Sequence, residues 1–404
     1  MRSRVLIASL MTIGLGSATA CAADANDGIK IGVLTDLSGT YSDLAGAGSV
    51  WAAKKAVEDY LAAKPGAKIE VIQADHQNKP DIAANTARQW FDTDGVDVIV
   101  DLVTSSTALA VVNIAKEKNK VALVSGAGSS DLTGKACTPN SIHWAYDTFA
   151  LATGTGSAVV KTGGDSWYFL TADYAFGQAL ERDTSAVVIK NGGKVIGSSK
   201  HPFPSQDFSS FLLQAQSSKA KVIGLANAGA DTTNAIKQAS EFGIVQGGQR
   251  LAGLLVFLSD VHALGLKTAQ GLTFTESWYW DTSDANRAFA KAFSAANNGK
   301  YPTMVHAGVY SSVIHYLKAV DVLQSDLDGA AIVAKMKELP TDDPLFGKGS
   351  VRADGRKIHD MYLFEVKKPE ESKGPYDYYK QLAVIPAADA WRPIADGNCP
   401  MVAK

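Results

Sequence analysis

Cysteine is scarce in this 404-residue sequence: only Cys21, Cys137 and Cys399 occur. That rules out a disulfide-built scaffold and any cysteine-rich metal module. After the first residues, no apolar run approaches the ~20 residues a membrane-spanning helix needs. Charge is balanced, with 39 basic against 41 acidic residues, so no electrostatic footprint for nucleic acid is present. No basic amphipathic stretch points to a membrane surface. Enzyme signatures are missing as well. There is no Gly-x-Ser-x-Gly elbow. The nearest approach to a phosphate-binding loop, Gly128 to Gly134-Lys135, is one residue too long and has Ala136 where Ser or Thr is required. His76, His143, His201, His262, His306, His315 and His359 are scattered without metal-ligand spacing. The sequence therefore implies no cofactor and no metal.

What is present starts at the N-terminus. Arg2 and Arg4 precede an apolar run from Val5 to Leu15, and small residues follow from Gly16 to Ala22. Basic, apolar, small is the order of a secretory signal peptide spanning 1–22. Cleavage fits after Ala20 or after Ala22, and a third reading keeps Cys21 as a lipid-modified N-terminus. Cleavage after Ala22 leaves Cys137 and Cys399, an even number suited to one disulfide in an oxidising compartment.

The mature length exceeds one ordinary core, so two domains are expected. Short apolar runs at Ile29–Leu34, Lys68–Ala74, Asp97–Leu102 and Val121–Val124 read as buried strands, separated by helical patterns at 45–63, 80–93 and 106–118. The alternation restarts after Ile142–Trp144. Strands are expected near 166–171, 194–199, 221–226 and 251–257, with helices near 148–162, 175–191, 207–218 and 230–242. Later segments predict a strand at Gly271–Thr275, helices at 284–297, 304–324 and 328–338, and strands at Met361–Val366 and Tyr378–Ile385. This is an α/β chain with two doubly wound parallel sheets. The leftover segments imply crossings between domains near 144–147, 276–280 and 348–354. The expected division is 28–145 plus 279–350 for the first domain, and 146–276 plus 353–404 for the second domain and tail.

In open α/β sheets, ligands sit at the carboxyl ends of strands. The loops expected there are rich in small hydroxyl residues: Thr35 to Tyr41, Val103-Thr104-Ser105-Ser106-Thr107, and Ser125-Gly126-Ala127-Gly128-Ser129-Ser130. Such loops opening helices offer backbone N–H groups to an anion, although each one alone also reads as ordinary helix capping. Aromatics gather at the crossings, in His143-Trp144-Ala145-Tyr146-Asp147 and Trp278-Tyr279-Trp280, and in Asp173-Tyr174-Ala175-Phe176-Gly177. They read equally as ligand walls or hinge packing.

The sequence resembles the leucine/isoleucine/valine-binding family of periplasmic ABC-transporter substrate-binding proteins. The matching stretches, in order, are Ile29-Lys30-Ile31-Gly32-Val33-Leu34 into Ser38-Gly39; Ser105-Ser106-Thr107; Ser125-Gly126-Ala127 with Asp131-Leu132-Thr133; Asp173 to Phe176-Gly177; and Lys237-Gln238-Ala239 with Phe242-Gly243. The resemblance implies a type I periplasmic-binding-protein fold with a three-strand hinge and no catalysis. It also implies delivery of a small-molecule ligand to an inner-membrane permease, most simply by a monomer. It places Thr104, Ala127 and Ser129 around a ligand carboxylate, with Phe176 and Ala228 facing it; Tyr41, Ser105, Ser106, Gly128, Tyr146, Asp147 and Phe257 complete the candidate set. One departure matters. Amino-acid binders of this kind place an acid near 254–257 to pair with the ligand ammonium, whereas this chain has Leu254-Leu255-Val256-Phe257. The expected ligand is therefore a small carboxylate with an aromatic or branched apolar body. A branched-chain amino acid or an amide is the alternative, and a periplasmic hydrolase or a ligand-delivering sensor module belongs to other classes.

Overall fold

The computed structural model describes residues 28–402, so the signal peptide expected at 1–22, with Cys21, lies outside the described residues. Five parallel strands build the first sheet: β1 (Ile29–Thr35), β2 (Ile69–Asp75), β3 (Val98–Asp101), β4 (Val121–Val124) and β5 (Ser141–His143), in spatial order β2-β1-β3-β4-β5. The middle strands are buried on both faces, which is why they read as unbroken apolar runs. Val98, Val100, Val121 and Leu123 face one hydrophobic cluster; Ile99, Ala122 and Val124 face another.

The second sheet is β6 (Ser166–Ala172), β7 (Lys194–His201), β8 (Val222–Ala226) and β9 (Arg250–Gly253), in order β7-β6-β8-β9 and again parallel. In each sheet the strand order reverses beside the first strand, so crevices open at the carboxyl ends of β1/β3 and β6/β8. Strand β10 (Thr273–Glu276) follows, then a small antiparallel group of β11 (Thr341–Asp343), β12 (Gly347–Val351) and β13 (Lys357–Ile358). Finally β14 (Met361–Val366) and β15 (Tyr379–Ile385) form an antiparallel sheet with β10. Helix Met304–Leu323 lies against helix Gly46–Ala63 of the first lobe.

Two elements differ from the sequence reading. The strand expected at 251–257 ends at Gly253. Residues 254–257 leave the sheet, and the side chain of Asp260 accepts a hydrogen bond from the Phe257 amide at 2.9 Å, starting helix Leu258–Leu264. The helix expected at 148–162 is continuous but widens to a π turn at Ala152–Gly156. Gly154 lies there against β10, where a Cβ would meet Thr275 Oγ1 at 2.2 Å. The β11–β13 group was not read from sequence.

The crossing segments pack on one another. Arg356, fully buried, donates to the Tyr146 carbonyl at 2.9 Å and stands 3.6 Å from Asp147. His359 bonds the Ala145 carbonyl at 2.9 Å, and Tyr279 and Trp280 both donate to the Tyr376 carbonyl at 2.8 Å. Trp144 donates to Ser311 at 2.8 Å. The tryptophans of the crossings thus pack the hinge. Cys137 and Cys399 are disulfide-bonded, with Cα atoms 5.7 Å apart, and tie the tail to the first lobe.

Candidate functional site

A narrow, mostly apolar cleft lies where the two crevices meet, with its walls nearly in contact. The first lobe supplies Tyr41, Leu44, Val103, Gly126 and Gly128; the second supplies Tyr174, Phe176, Ala228, Leu255 and Phe257; Tyr146 comes from the crossing. No charged side chain lines it.

Its mouth is closed by three rings. The hydroxyls of Tyr41 and Tyr174 hydrogen-bond across the lobes at 2.6 Å. Phe203 stacks on both, with centroids 4.4 Å from Tyr174 and 5.2 Å from Tyr41. Burial holds the phenols of Tyr41, Tyr146 and Tyr174 well above their ordinary value, so they act as neutral hydrogen-bonding groups. Inside, Phe176 and Tyr146 press on the floor at Gly128, where a Cβ would lie 2.9 Å from each ring.

The loop after β4 forms that floor. Its carbonyls are consumed by the protein: Tyr146 donates to the Gly126 carbonyl, His143 bonds that of Ala127 at 2.6 Å, and the Thr148 amide reaches that of Gly128 at 2.8 Å. Among the described residues, the amides of Val103, Thr104, Ala127 and Gly128 donate to no protein acceptor. A loop with satisfied carbonyls and free amides has donors to offer an anion. The helix termini agree. Helices Ser105–Glu117, Ala175–Lys190 and Ala230–Glu241 start at the cleft without a side-chain cap, whereas those starting at Thr148 and Leu258 are capped by Asp147 and Asp260. Away from the cleft, helices beginning at Asp284, Met304 and Gly329 are capped by Ser283, Thr303 and Asp328, while Pro80–Asp92 and Ser209–Ser217 are uncapped. Uncapped N-termini leave donors and the positive end of the helix dipole facing the cleft.

The first loop has a different role. Asp36 accepts from the amides of Gly39 at 2.6 Å and Tyr41 at 2.9 Å and from Asn78 at 2.6 Å, which fixes Tyr41 in place. Of the residues singled out in the sequence, the structure gathers Tyr41, Gly128, Tyr146, Phe176, Ala228 and Phe257 around the cavity. Thr104 is buried beside it, but its hydroxyl donates to Asn78. Ser105 accepts from the Ser129 amide at 3.1 Å and so joins two loops. Ala127 and Ser129 are buried in the floor loop, and Ser106 is only partly buried. Asp147 caps helix Thr148–Leu151 through the Ala150 amide at 2.9 Å and pairs with Arg356; burial pushes its pKa up despite that cation. Leu44, Val103, Gly126, Tyr174, Leu255 and Phe203 were missed. Tyr174 beside Phe176, Gly126 and Val103 in named loops, and Leu255 in the apolar run at 254–257 were within reach of the sequence; Leu44 and Phe203 carried no signal.

Acids stand behind the wall. Burial pushes Asp101 up to about 6 and Asp231 up to about 7, and raises Glu276 well above the carboxylate range. The cost of desolvating a carboxylate thus favours their neutral forms.

Two parallel-sheet lobes, joined by three crossing segments around one cleft, define the type I periplasmic-binding-protein class. The profile of the periplasmic binding protein family matches residues 28–375, and the chain belongs to that family. It is 26% identical over 392 residues to the "Leu/Ile/Val-binding protein homolog 6" of Brucella melitensis, covering 94% of this chain and 96% of that one. Among solved structures, a periplasmic binding protein from Burkholderia mallei is 53% identical with a TM-score of 0.90, over 93% of this chain and 99% of that one. A branched chain amino acid ABC transporter periplasmic ligand-binding protein from Burkholderia xenovorans is 39% identical with a TM-score of 0.81, over 92% and 99%. No helix of the described residues is long and apolar enough to cross a membrane.

Proposed function

We propose that this chain is an exported, non-catalytic solute-binding protein of an ABC transporter that captures a small carboxylate with a branched or aromatic apolar body. The carboxylate docks on the free amides of the Val103–Thr104 and Ala127–Gly128 segments. The second lobe, taken as 146–276 plus 353–404, rotates onto the first, 28–145 plus 279–350, and Tyr41, Tyr174 and Phe203 close the mouth. A monomer presents the closed form to its inner-membrane permease in the periplasm.

The observation that carries this reading is the polarity of the cavity. Val103 and Gly128, whose amides have no protein acceptor, line it, the uncapped helices Ser105–Glu117 and Ala175–Lys190 begin beside it, and no carboxylate lines it to receive an ammonium. Burying an unpaired ammonium costs several kcal/mol. Thermal-shift screening of benzoate, phenylpropenoates and short branched acids beside leucine tests the proposal. Stabilisation by the acids with little by leucine is expected; stabilisation by leucine and indifference to the acids overturns it.

The name of the Burkholderia xenovorans relative favours a second reading, a branched-chain amino acid. In that case Asp231, whose Oδ2 has no hydrogen-bond partner, would take the ammonium and ionise on binding.

A further inference from the structure

The floor loop is tied to the second lobe through one side-chain cluster. Asp183, on helix Ala175–Lys190, is 7% exposed. Its Oδ2 accepts from the hydroxyls of Ser130 and Thr148, each at 2.6 Å, and its Oδ1 from Arg182 Nε at 2.9 Å. Arg182 also donates to the Ser130 hydroxyl at 2.9 Å and lies 3.2 Å from Asp131. The Ser130 amide donates to Thr148 Oγ1 at 3.1 Å, and Arg392 reaches the Ser130 carbonyl at 2.9 Å. Every hydroxyl in the cluster has a defined donor and acceptor role, with the carboxylate of Asp183 receiving both hydroxyl protons.

Ser130 is two residues past Gly128, on the loop whose amides form the cradle. The first turn of Asp183's helix carries Phe176 onto Gly128, and the same helix touches Ser105–Glu117 of the first lobe. A rotation that lifts Phe176 off Gly128 therefore draws Asp183 away from Ser130. We propose that Asp183 is the positioning residue that couples lobe closure to the shape of the anion cradle: its bonds to Ser130 hold the lobes together for most of the time even without a ligand, and they are lost in the opening that admits one. The inference rests on the closure reading above, but it assigns a residue that touches no ligand.

Asp183→Asn tests it cleanly, because an amide in either orientation fails. With its NH2 at the Oδ2 position it confronts two hydroxyl donors, and with its NH2 at Oδ1 it confronts Arg182. Ser130→Ala is the milder second variant. On ligand-free full-length protein, hydrogen exchange and small-angle scattering are measured for the wild type, both single variants and the double variant. The expected result is at least tenfold faster exchange at the Ser130 and Thr148 amides, unchanged exchange in β3 and β4, and a larger radius of gyration. Adding Ser130→Ala to Asp183→Asn should change little further, since both break the same contact. Unchanged exchange and scattering in the variants overturns the proposal. So does uniformly faster exchange through both lobes, which marks a merely structural role. None of these readouts uses a ligand, so a chain that rejects every carboxylate but loosens at Ser130 loses the ligand reading and keeps this one.

Discussion

Gly128→Ala is the sharpest perturbation of the closed cleft. Gly128 is not in the left-handed region, so alanine fits its backbone. The added Cβ would lie 2.9 Å from Phe176 and 2.9 Å from Tyr146, inside ordinary van der Waals contact. Tyr146 is held by its bond to the Gly126 carbonyl, and Phe176 rides on the second-lobe helix, so the clash is relieved most easily by opening the lobes. Overpacking of this kind costs about 1–3 kcal/mol. Charged to closure, that weakens ligand affinity by about 5- to 150-fold at 1.4 kcal/mol per factor of ten. Ligand-free stability should hold or rise by up to about 1 kcal/mol, because alanine restricts the unfolded chain. Calorimetric affinity for the best acid from the screen, paired with urea unfolding of the ligand-free variant, reads both. Wild-type affinity in this variant would refute the idea that Phe176 closes onto Gly128; an equal loss in ligand-free stability would place the strain in the fold instead.

Three further outcomes follow from the same geometry. Tyr41→Phe removes the inter-lobe bond to Tyr174 and should weaken binding by about 2- to 13-fold, chiefly through faster dissociation, as stopped-flow kinetics would record. Lys357 is fully buried between Trp144 and Phe346 without a hydrogen-bond partner, and burial lowers its pKa from 10.5 to about 8. The unfolded chain binds the extra proton between those values, so this group makes stability rise with pH from about 8 to 10.5. Lys357→Met should flatten that rise and stabilise the protein by roughly 3 kcal/mol at pH 7, measured by denaturant unfolding across pH. Replacing both Cys137 and Cys399 by serine opens a covalent link across 262 residues and should cost about 2–5 kcal/mol, read as a lower unfolding midpoint.

The parallel sheets were legible because their central strands are buried on both faces and so appear as unbroken apolar runs, as at Val121–Val124. The same logic misled at Leu254–Phe257, an equally apolar run that leaves the sheet to line the cavity; periodicity cannot tell a core wall from a cavity wall. The β11–β13 group is short and half polar and carries no such signal. At the site, hydroxyl residues drew attention to Thr104, yet Val103 lines the cavity. Positive φ values at Asp101 (78°) and Leu102 (55°) break the alternation of the preceding strand, a turn the sequence does not announce. Phe203 was invisible because it reaches the mouth from a loop after β7, whose strand lies at the sheet edge. The sequence did reveal the missing acid at 254–257, and the structure gives that absence a place, in a wall of Leu255 and Phe257.

The most direct test is a matched pair of calorimetric titrations, with leucine and with 4-methylpentanoate, its analogue lacking only the ammonium group. In the proposed site the amides of Val103 and Gly128 have no protein acceptor, and the wall offers no counter-charge. The account predicts that 4-methylpentanoate binds at least ~100-fold more tightly than leucine, the cost of burying an unpaired ammonium. Tighter binding of leucine would contradict it and move the ammonium site to Asp231.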